Sequence, residues 1–165
     1  GLGDVYKRQA QALENIQVVL AAKPADMVIT THVCRGNFRS TYLLTGAYDP
    51  IADALFGQTQ YDGYFLEYDD ERSGGFEPLK HFVNNPHKGR VVLGLISSKF
   101  PELEDKMAIK ARIEEATQYV PLEQLCLSPQ CGFASTEEGN IMTEAQQWAK
   151  VRYVEEIAKE VWGED

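Results

Sequence analysis

The chain has 165 residues, 44% hydrophobic and 25% charged, with 16 basic against 25 acidic side chains for a formal charge of −9. That balance describes one folded globular domain, and the acidic excess excludes a phosphate-backbone footprint, so no nucleic-acid partner is expected. No apolar run approaches the ~20 residues of a membrane span and no basic-then-apolar leader opens the chain; neither membrane nor secretion is expected, and the cytoplasm is the expected location.

Residues 1–9, Gly-Leu-Gly-Asp-Val-Tyr-Lys-Arg-Gln, show neither helical nor strand periodicity. They resemble a translated adaptor scar and are expected to be a non-native or disordered terminus, apart from a domain over 10–165. From Ala10 to Ala22 the spacing of Leu13, Ile16 and Leu20 predicts a helix that Pro24 stops. Met27–Thr31 reads as the first strand. Asp49 as N-cap and Pro50 in the first turn open a helix through Ile51, Ala54 and Leu55 that Gly57 ends. Gly63–Glu67 is the second strand, followed by a polar loop and a weak helix near Glu77–Phe82 that Asn84-Asn85-Pro86 breaks.

Arg90–Ile96 is the third strand, and its continuous apolar character suits a parallel strand covered on both faces. Ile109, Ile113, Ala116 and Val120 form one stripe of a helix over Glu104–Val120, closed by Pro121. Leu125–Ser128 is the fourth strand. Thr143-Glu144-Ala145-Gln146 has the form of a capping box opening a last helix through Trp148, Val151, Val154, Ile157 and Val161. The order, a helix and then four strand-plus-helix units, predicts an α/β fold with a parallel sheet. Four units are half of a TIM (β/α)8 barrel, which needs eight in ~250 residues. A flavodoxin-like open sheet is the alternative, but it ordinarily has a fifth strand and a phosphate loop after its first strand.

Three of these strands finish with a side chain suited to a soft metal: His32 and Cys34 after the first, Glu67 at the end of the second, Cys131 just past the fourth. In α/β barrels the working residues sit at the carboxyl ends of strands, and residues two apart on a strand face the same way, so His32 and Cys34 can reach one ion. Two thiolates, an imidazole and a carboxylate suit zinc. Against +2 for zinc, the −1 of each of Cys34, Cys131 and Glu67 leaves the site at −1, a poor Lewis acid for splitting water and better suited to keeping another thiol nucleophilic. Glu67 is the ligand an incoming thiol would displace, which makes alkyl transfer to sulfur the natural reaction. Spacing alone leaves a second reading open, with Cys34 and Cys131 as small buried hydrophobes and Glu67 as a paired surface acid. Three scattered cysteines fit a reducing compartment better than a disulfide framework.

The segments His32-Val33-Cys34-Arg35-Gly36-Asn37, Phe65-Leu66-Glu67-Tyr68-Asp69 and Leu127-Ser128-Pro129-Gln130-Cys131-Gly132 resemble the catalytic half of cobalamin-independent methionine synthase, closest to short bacterial members without the amino-terminal domain. The resemblance covers Ala10–Trp162. It implies the carboxy-terminal half of a TIM barrel and a zinc-dependent S-methyltransferase of the 5-methyltetrahydropteroyltriglutamate–homocysteine type, serving methionine biosynthesis. His32, Cys34, Glu67 and Cys131 match the family's zinc ligands one by one, and homocysteine is the implied thiol.

Folate-using members carry a histidine after the strand matching Arg90–Ile96, placed to protonate the leaving amine; here the loop reads Ser97-Ser98-Lys99-Phe100. Its absence turns the expected donor from methyl-folate toward a methylated corrinoid, with Lys99 as a substitute acid or else a solvated loop lysine. A methylcobamide:thiol methyltransferase with another acceptor is the rival activity. Arg35, Asn37, Asp69 and Arg72 adjoin ligands as candidate substrate contacts, with ion pairs or loop hydrogen bonds as the ordinary alternative. Cys126 is read as inert core, and His81 and His87 as solvated. The family's homocysteine contacts lie largely on early strands absent from this sequence, so this chain alone is expected to be inactive, or a non-enzymatic fragment. It is also expected to self-associate through open sheet edges.

Overall fold

Four short apolar runs lie side by side in one parallel sheet of order β1-β2-β3-β4. In this computed structural model, which describes residues 2–134 and 136–163, they are β1 (Thr30–Val33), β2 (Gly63–Glu67), β3 (Arg90–Ile96) and β4 (Leu125–Pro129). The helices are α1 (Leu2–Ala21), α2 (Asp49–Ala52), α3 (Lys106–Ala116) and α4 (Glu144–Trp162), with short 3-10 turns at Glu71–Ser73, Glu77–Asn84 and Leu122–Gln124. Every sheet connection passes through helical segments, as parallel strands require. Among the described residues no helix is long and apolar enough to cross a membrane.

Alternation along the strands divides the sheet into two faces. Tyr64, Leu66, Val91, Leu93, Leu95 and Leu125 are buried with Phe56, Phe82, Ile109, Ile113 and Ile157 from the helical layer. Tyr64 meets Phe56 and Phe82 edge-on at 6.2 and 4.9 Å, while Phe56 stacks on Phe82 at 4.8 Å. Each such apolar side chain contributes roughly 1.5–3 kcal/mol by leaving water. On the other face the register sets His32, Phe65, Val92 and Cys126 in one row. Phe65 remains 37% exposed there, although it lies on a central strand.

The bounds expected for β2 and β3 hold to the residue, and β4 extends one further, to Pro129. The first strand is shifted. Met27–Ile29 lie outside it, because pairing begins at Thr30 opposite Gly63 and Asp62 holds the approach. The Asp62 carboxylate accepts from Ile29 N at 2.8 Å, and Asp62 N donates to Ile29 O at 2.8 Å. As an edge strand β1 has one partner, and Val28 just before it is 74% exposed.

The first helix begins at Leu2 instead of Ala10, so the segment expected to be a disordered terminus is helical over Leu2–Gln9; its first residue, Gly1, lies outside the described residues, as do Ser135, Glu164 and Asp165. Gln9 Nε2 donates to Pro50 O at 3.3 Å. Asp49 is the first residue of α2, with Tyr48 in the N-cap position and no side-chain cap, and the helix widens into a π-turn over Asp53–Gly57. At α4 the capping box forms as the sequence predicts, Thr143 accepting from Gln146 N and the Gln146 side chain accepting from Thr143 N.

Candidate metal centre

The carboxyl ends of β1, β2 and β4 converge on one point. The ligand atoms of His32, Cys34, Glu67 and Cys131 all lie within 4.8 Å of one another. Three strand spacings of ~4.8 Å would hold the edge strands of a flat sheet about 14 Å apart, yet Cys34 Sγ and Cys131 Sγ are separated by 4.0 Å. The chain beyond β4 therefore folds back over the inner face. Gly94 permits it: a Cβ there would lie 2.7 Å from Gln130 Cα and 2.7 Å from Leu66 O. Gln130 N donates to Ile96 O at 2.8 Å, and the β3–β4 register shifts between Gly94 and Ile96.

Three of the four side chains are aimed by a specific contact. His32 Nδ1 lies 3.2 Å from Phe65 O; a carbonyl only accepts, so Nδ1 carries the proton and Nε2 is left with its lone pair toward the site. Nε2 is 3.7 Å from Glu67 Oε1. Cys34 Sγ accepts from Gly36 N at 3.3 Å, in a turn where Gly36 takes φ +99 and a Cβ would meet Leu43 N at 2.7 Å. Glu67 is fully buried. Its Oε2 accepts from Arg35 N at 3.0 Å, whereas Oε1 has no hydrogen-bond partner among the described residues.

Charge around the site follows from that packing. The Cys131 side chain, and then the Glu67 carboxylate, push the His32 imidazole above its ordinary pKa, against burial, which lowers it. Burial pushes the Cys34 thiol up, the neighbouring Cys131 and Glu67 charges add to it, and the Gly36 N–H opposes it. Among the described residues no lysine or arginine side chain pairs with the Glu67 carboxylate, and the one basic side chain near it is His32, with Nε2 3.7 Å from Oε1. Two sulfurs, an imidazole nitrogen and a buried carboxylate oxygen form a donor set that fits a thiophilic divalent ion such as zinc.

Behind the ligands lies a buried polar layer. Arg35 directs its guanidinium to Gly46 O at 3.0 and 2.7 Å, Tyr48 Oη at 2.8 Å and Glu67 O at 3.1 Å. Tyr48 Oη in turn accepts from Glu67 N at 2.8 Å, and burial pushes its pKa up to about 12, keeping it a neutral phenol. These contacts fix the end of β2 from behind. Asn37 Nδ2 donates to Gly132 O at 2.5 Å and approaches Ser98 Oγ at 3.4 Å. Arg35 and Asn37 are thus engaged with the loops that hold the ligands.

Lys99 departs from the solvated loop lysine of the sequence reading. It is 2% exposed, with Nζ 3.4 Å from Asp69 Oδ2, and Asp69 Oδ1 lies 3.4 Å from Arg72 Nη2. A charge buried this far requires its partner, and Asp69 supplies it. His81 and His87 are part-exposed with acid neighbours, Asp53 at 3.4 Å and Asp62 at 3.1 Å, and both stand apart from the cluster. Cys126 is half-buried in the row with Val92, outside the ligand set. Tyr48, Ser98 and Gln130 escaped the sequence reading; the only signal was an all-polar loop, Ser97-Ser98-Lys99, following the most apolar strand. A cleft of about 320 Å³ opens beside the cluster between His32, Phe65, Pro129, Cys131 and Gly132.

A family model described as the catalytic domain of cobalamin-independent synthase matches residues 4–158. Two Bacillus subtilis (strain 168) proteins, the uncharacterized proteins YxjG and YxjH, are 56% identical over 149 residues and 53% identical over 160. These matches cover 90% and 97% of this chain but 39% and 42% of those proteins, so the chain spans about two-fifths of the length of the curated relatives it matches. Among solved structures, a Listeria monocytogenes protein described provisionally as a vitamin-B12 independent methionine synthase superposes with a TM-score of 0.70 at 43% identity, over 94% of this chain and 42% of that one. A B12-independent methionine synthase from Shewanella sp. W3-18-1, solved with selenomethionine, shares the fold at 16% identity and a TM-score of 0.65, over 86% of this chain and 40% of that one.

Proposed function

Because the chain belongs to the cobalamin-independent synthase family through its catalytic domain, as four βα units of that TIM barrel, we propose that it carries the metal half of a zinc-dependent S-methyltransferase. His32, Cys34, Glu67 and Cys131 are the ligands, and homocysteine, converted to methionine, is the acceptor. The observation that carries this reading is the convergence of the four donor atoms within 4.8 Å, the Glu67 carboxylate among them having a buried oxygen with no hydrogen-bond partner among the described residues. Held there, zinc would supply the positive charge that keeps an incoming thiol deprotonated near neutral pH.

The chain's own residues do the remaining work. The Phe65 carbonyl holds His32 in one tautomer, and Arg35 N fixes one oxygen of Glu67 while leaving the other for the site. The cleft beside His32, Phe65 and Cys131 is the path for the thiol. In the transfer, sulfur forms its bond to the methyl carbon as the bond from carbon to the donor breaks in line, and the electron pair leaves with the donor.

The donor is methyl-folate or a methylated corrinoid. The β3 loop favours the second: it presents no imidazole, and its one basic side chain, Lys99, is buried against Asp69. The whole reaction belongs to a protein that also contains the other strands of the barrel. The test pairs the full-length protein with homocysteine and each donor in turn, measuring methionine formed; release of methionine that stops in Cys131→Ala is expected. Full activity in that variant would reject the reading. Transfer to another small thiol, with none to homocysteine, would replace the acceptor and keep the metal site.

A further inference from the structure

The loop after β3 carries no metal ligand, yet it is the most thoroughly buried polar segment at the carboxyl end of the sheet. Ser97, Ser98 and Lys99 are 7%, 0% and 2% exposed. Each is fastened to a different partner. Ser97 N donates to Glu104 Oε1 at 2.7 Å, and that oxygen also receives the fully buried Lys150 at 2.9 Å. Ser98 gives both N and Oγ to Gln130 Oε1, at 2.6 and 2.8 Å. Lys99 pairs with Asp69.

Gln130 and Gly132 flank the ligand Cys131, and both are held from this side: Gln130 through Ser98, and Gly132 through Asn37 Nδ2, which also reaches Ser98 Oγ. Asn37 belongs to the loop of Cys34. One buried chain of hydrogen bonds therefore ties the loop of Cys34, the ligand-free β3 loop and both neighbours of Cys131. Bonds of this kind are stronger away from water, and a break leaves buried groups unpaired.

Resting on the metal reading above, we propose that Asn37, Ser98 and Gln130 are positioning residues: a buried amide–hydroxyl strap that presets the distance between Cys34 and Cys131 before metal arrives. Ligand supports beyond the coordinating atoms commonly carry 10- to 100-fold in metal affinity. The strap acts on the backbone at both sides of Cys131, so its loss changes ligand geometry as well as overall stability.

The test titrates the 165-residue chain, and its Asn37→Ala, Ser98→Ala and Gln130→Ala variants, with zinc against a competing chelator and with cobalt followed by its thiolate charge-transfer and ligand-field absorption. Thr59→Ala serves as the control, since Thr59 is equally buried and bonds Leu55 O away from the cluster. The strap variants are expected to bind one ion at saturation, roughly 10- to 100-fold more weakly, with a shifted cobalt spectrum. Thr59→Ala should lower the melting temperature and leave affinity and spectrum unchanged. Wild-type affinity and spectrum in the strap variants overturn the proposal. If Asn37→Ala or Gln130→Ala does not fold, Asn37→Ser and Ser98→Ala decide it by the same criterion. A Cys131→Ser chain that binds metal like wild type would instead reject the ligand assignment itself, a different failure.

Discussion

Replacing Glu67 with glutamine should move stability in opposite directions with and without metal. Glu67 is 0% exposed; one oxygen accepts from Arg35 N, and the other has no hydrogen-bond partner among the described residues, with His32 Nε2 3.7 Å away. An unsatisfied buried polar atom costs about 1–3 kcal/mol, more when charged, and each kcal/mol shifts the melting temperature of a chain this size by about 2–4 °C. Glutamine keeps the shape and the acceptor for Arg35 N and removes the buried charge, so in excess chelator at pH 8 the variant should melt higher, by roughly 2–4 °C at the lower end of that cost. With zinc at a thousand times its dissociation constant, wild type gains about 4.1 kcal/mol. The variant should lose about 1.4 kcal/mol of that gain for each tenfold loss of affinity. Differential scanning calorimetry of both chains in chelator and in zinc gives the four melting temperatures. A variant that melts lower in chelator and keeps the full zinc increment would show Glu67 to be a structural acceptor, not a ligand.

Gly94→Ala places a Cβ against Gln130 Cα and Leu66 O, both at 2.7 Å; overpacking of this kind costs about 1–3 kcal/mol, and it should push the Cys131 loop outward, so chelator competition should report weaker zinc binding as well as a lower melting temperature. The Ile29 N–H, then Lys23, hold the Asp62 carboxyl below its ordinary value. A folded pKa below the unfolded one adds stability that is present above the unfolded value and lost as pH falls through the folded one. Asp62→Asn should therefore be less stable than wild type at pH 7 in urea melts, with the difference vanishing in strong acid; a constant difference across that range would contradict the assignment. The unpaired outer edges of β1 and β4 should make the isolated chain associate, and light scattering at increasing concentration checks this against a monodisperse monomer.

Much of the architecture was legible because β2 and β3 are internal strands. Paired on both edges, they read as continuous, mostly apolar runs whose ends coincide with the observed ones, although Phe65 stays exposed on one face of β2. The four side chains that converge in the candidate metal centre were legible because each lies at or just past the end of an apolar run. β1 was misplaced by three residues at its start because an edge strand takes its register from a single neighbour, and Gly63 and Asp62, some thirty residues away, decide it. The helical turns of Leu2–Gln9 form in continuity with the helix that follows.

Lys99 shows a further limit. Nothing local marks a lysine after two serines as buried; that follows only once the β2 loop brings Asp69 beneath it. The same holds for Asn37, Ser98 and Gln130, whose polarity reads as surface until three loops meet. Local periodicity carries the layers of the sheet, whereas the support of the site is built from long-range pairs between polar residues.

The central claim is that His32, Cys34, Glu67 and Cys131 hold one metal ion. Metal analysis of the purified chain after zinc loading and removal of excess tests it most directly, alongside Cys131→Ala treated identically. One zinc per wild-type chain and a near-complete loss in the variant is the predicted result. Equal zinc in both, or none in wild type, would contradict it.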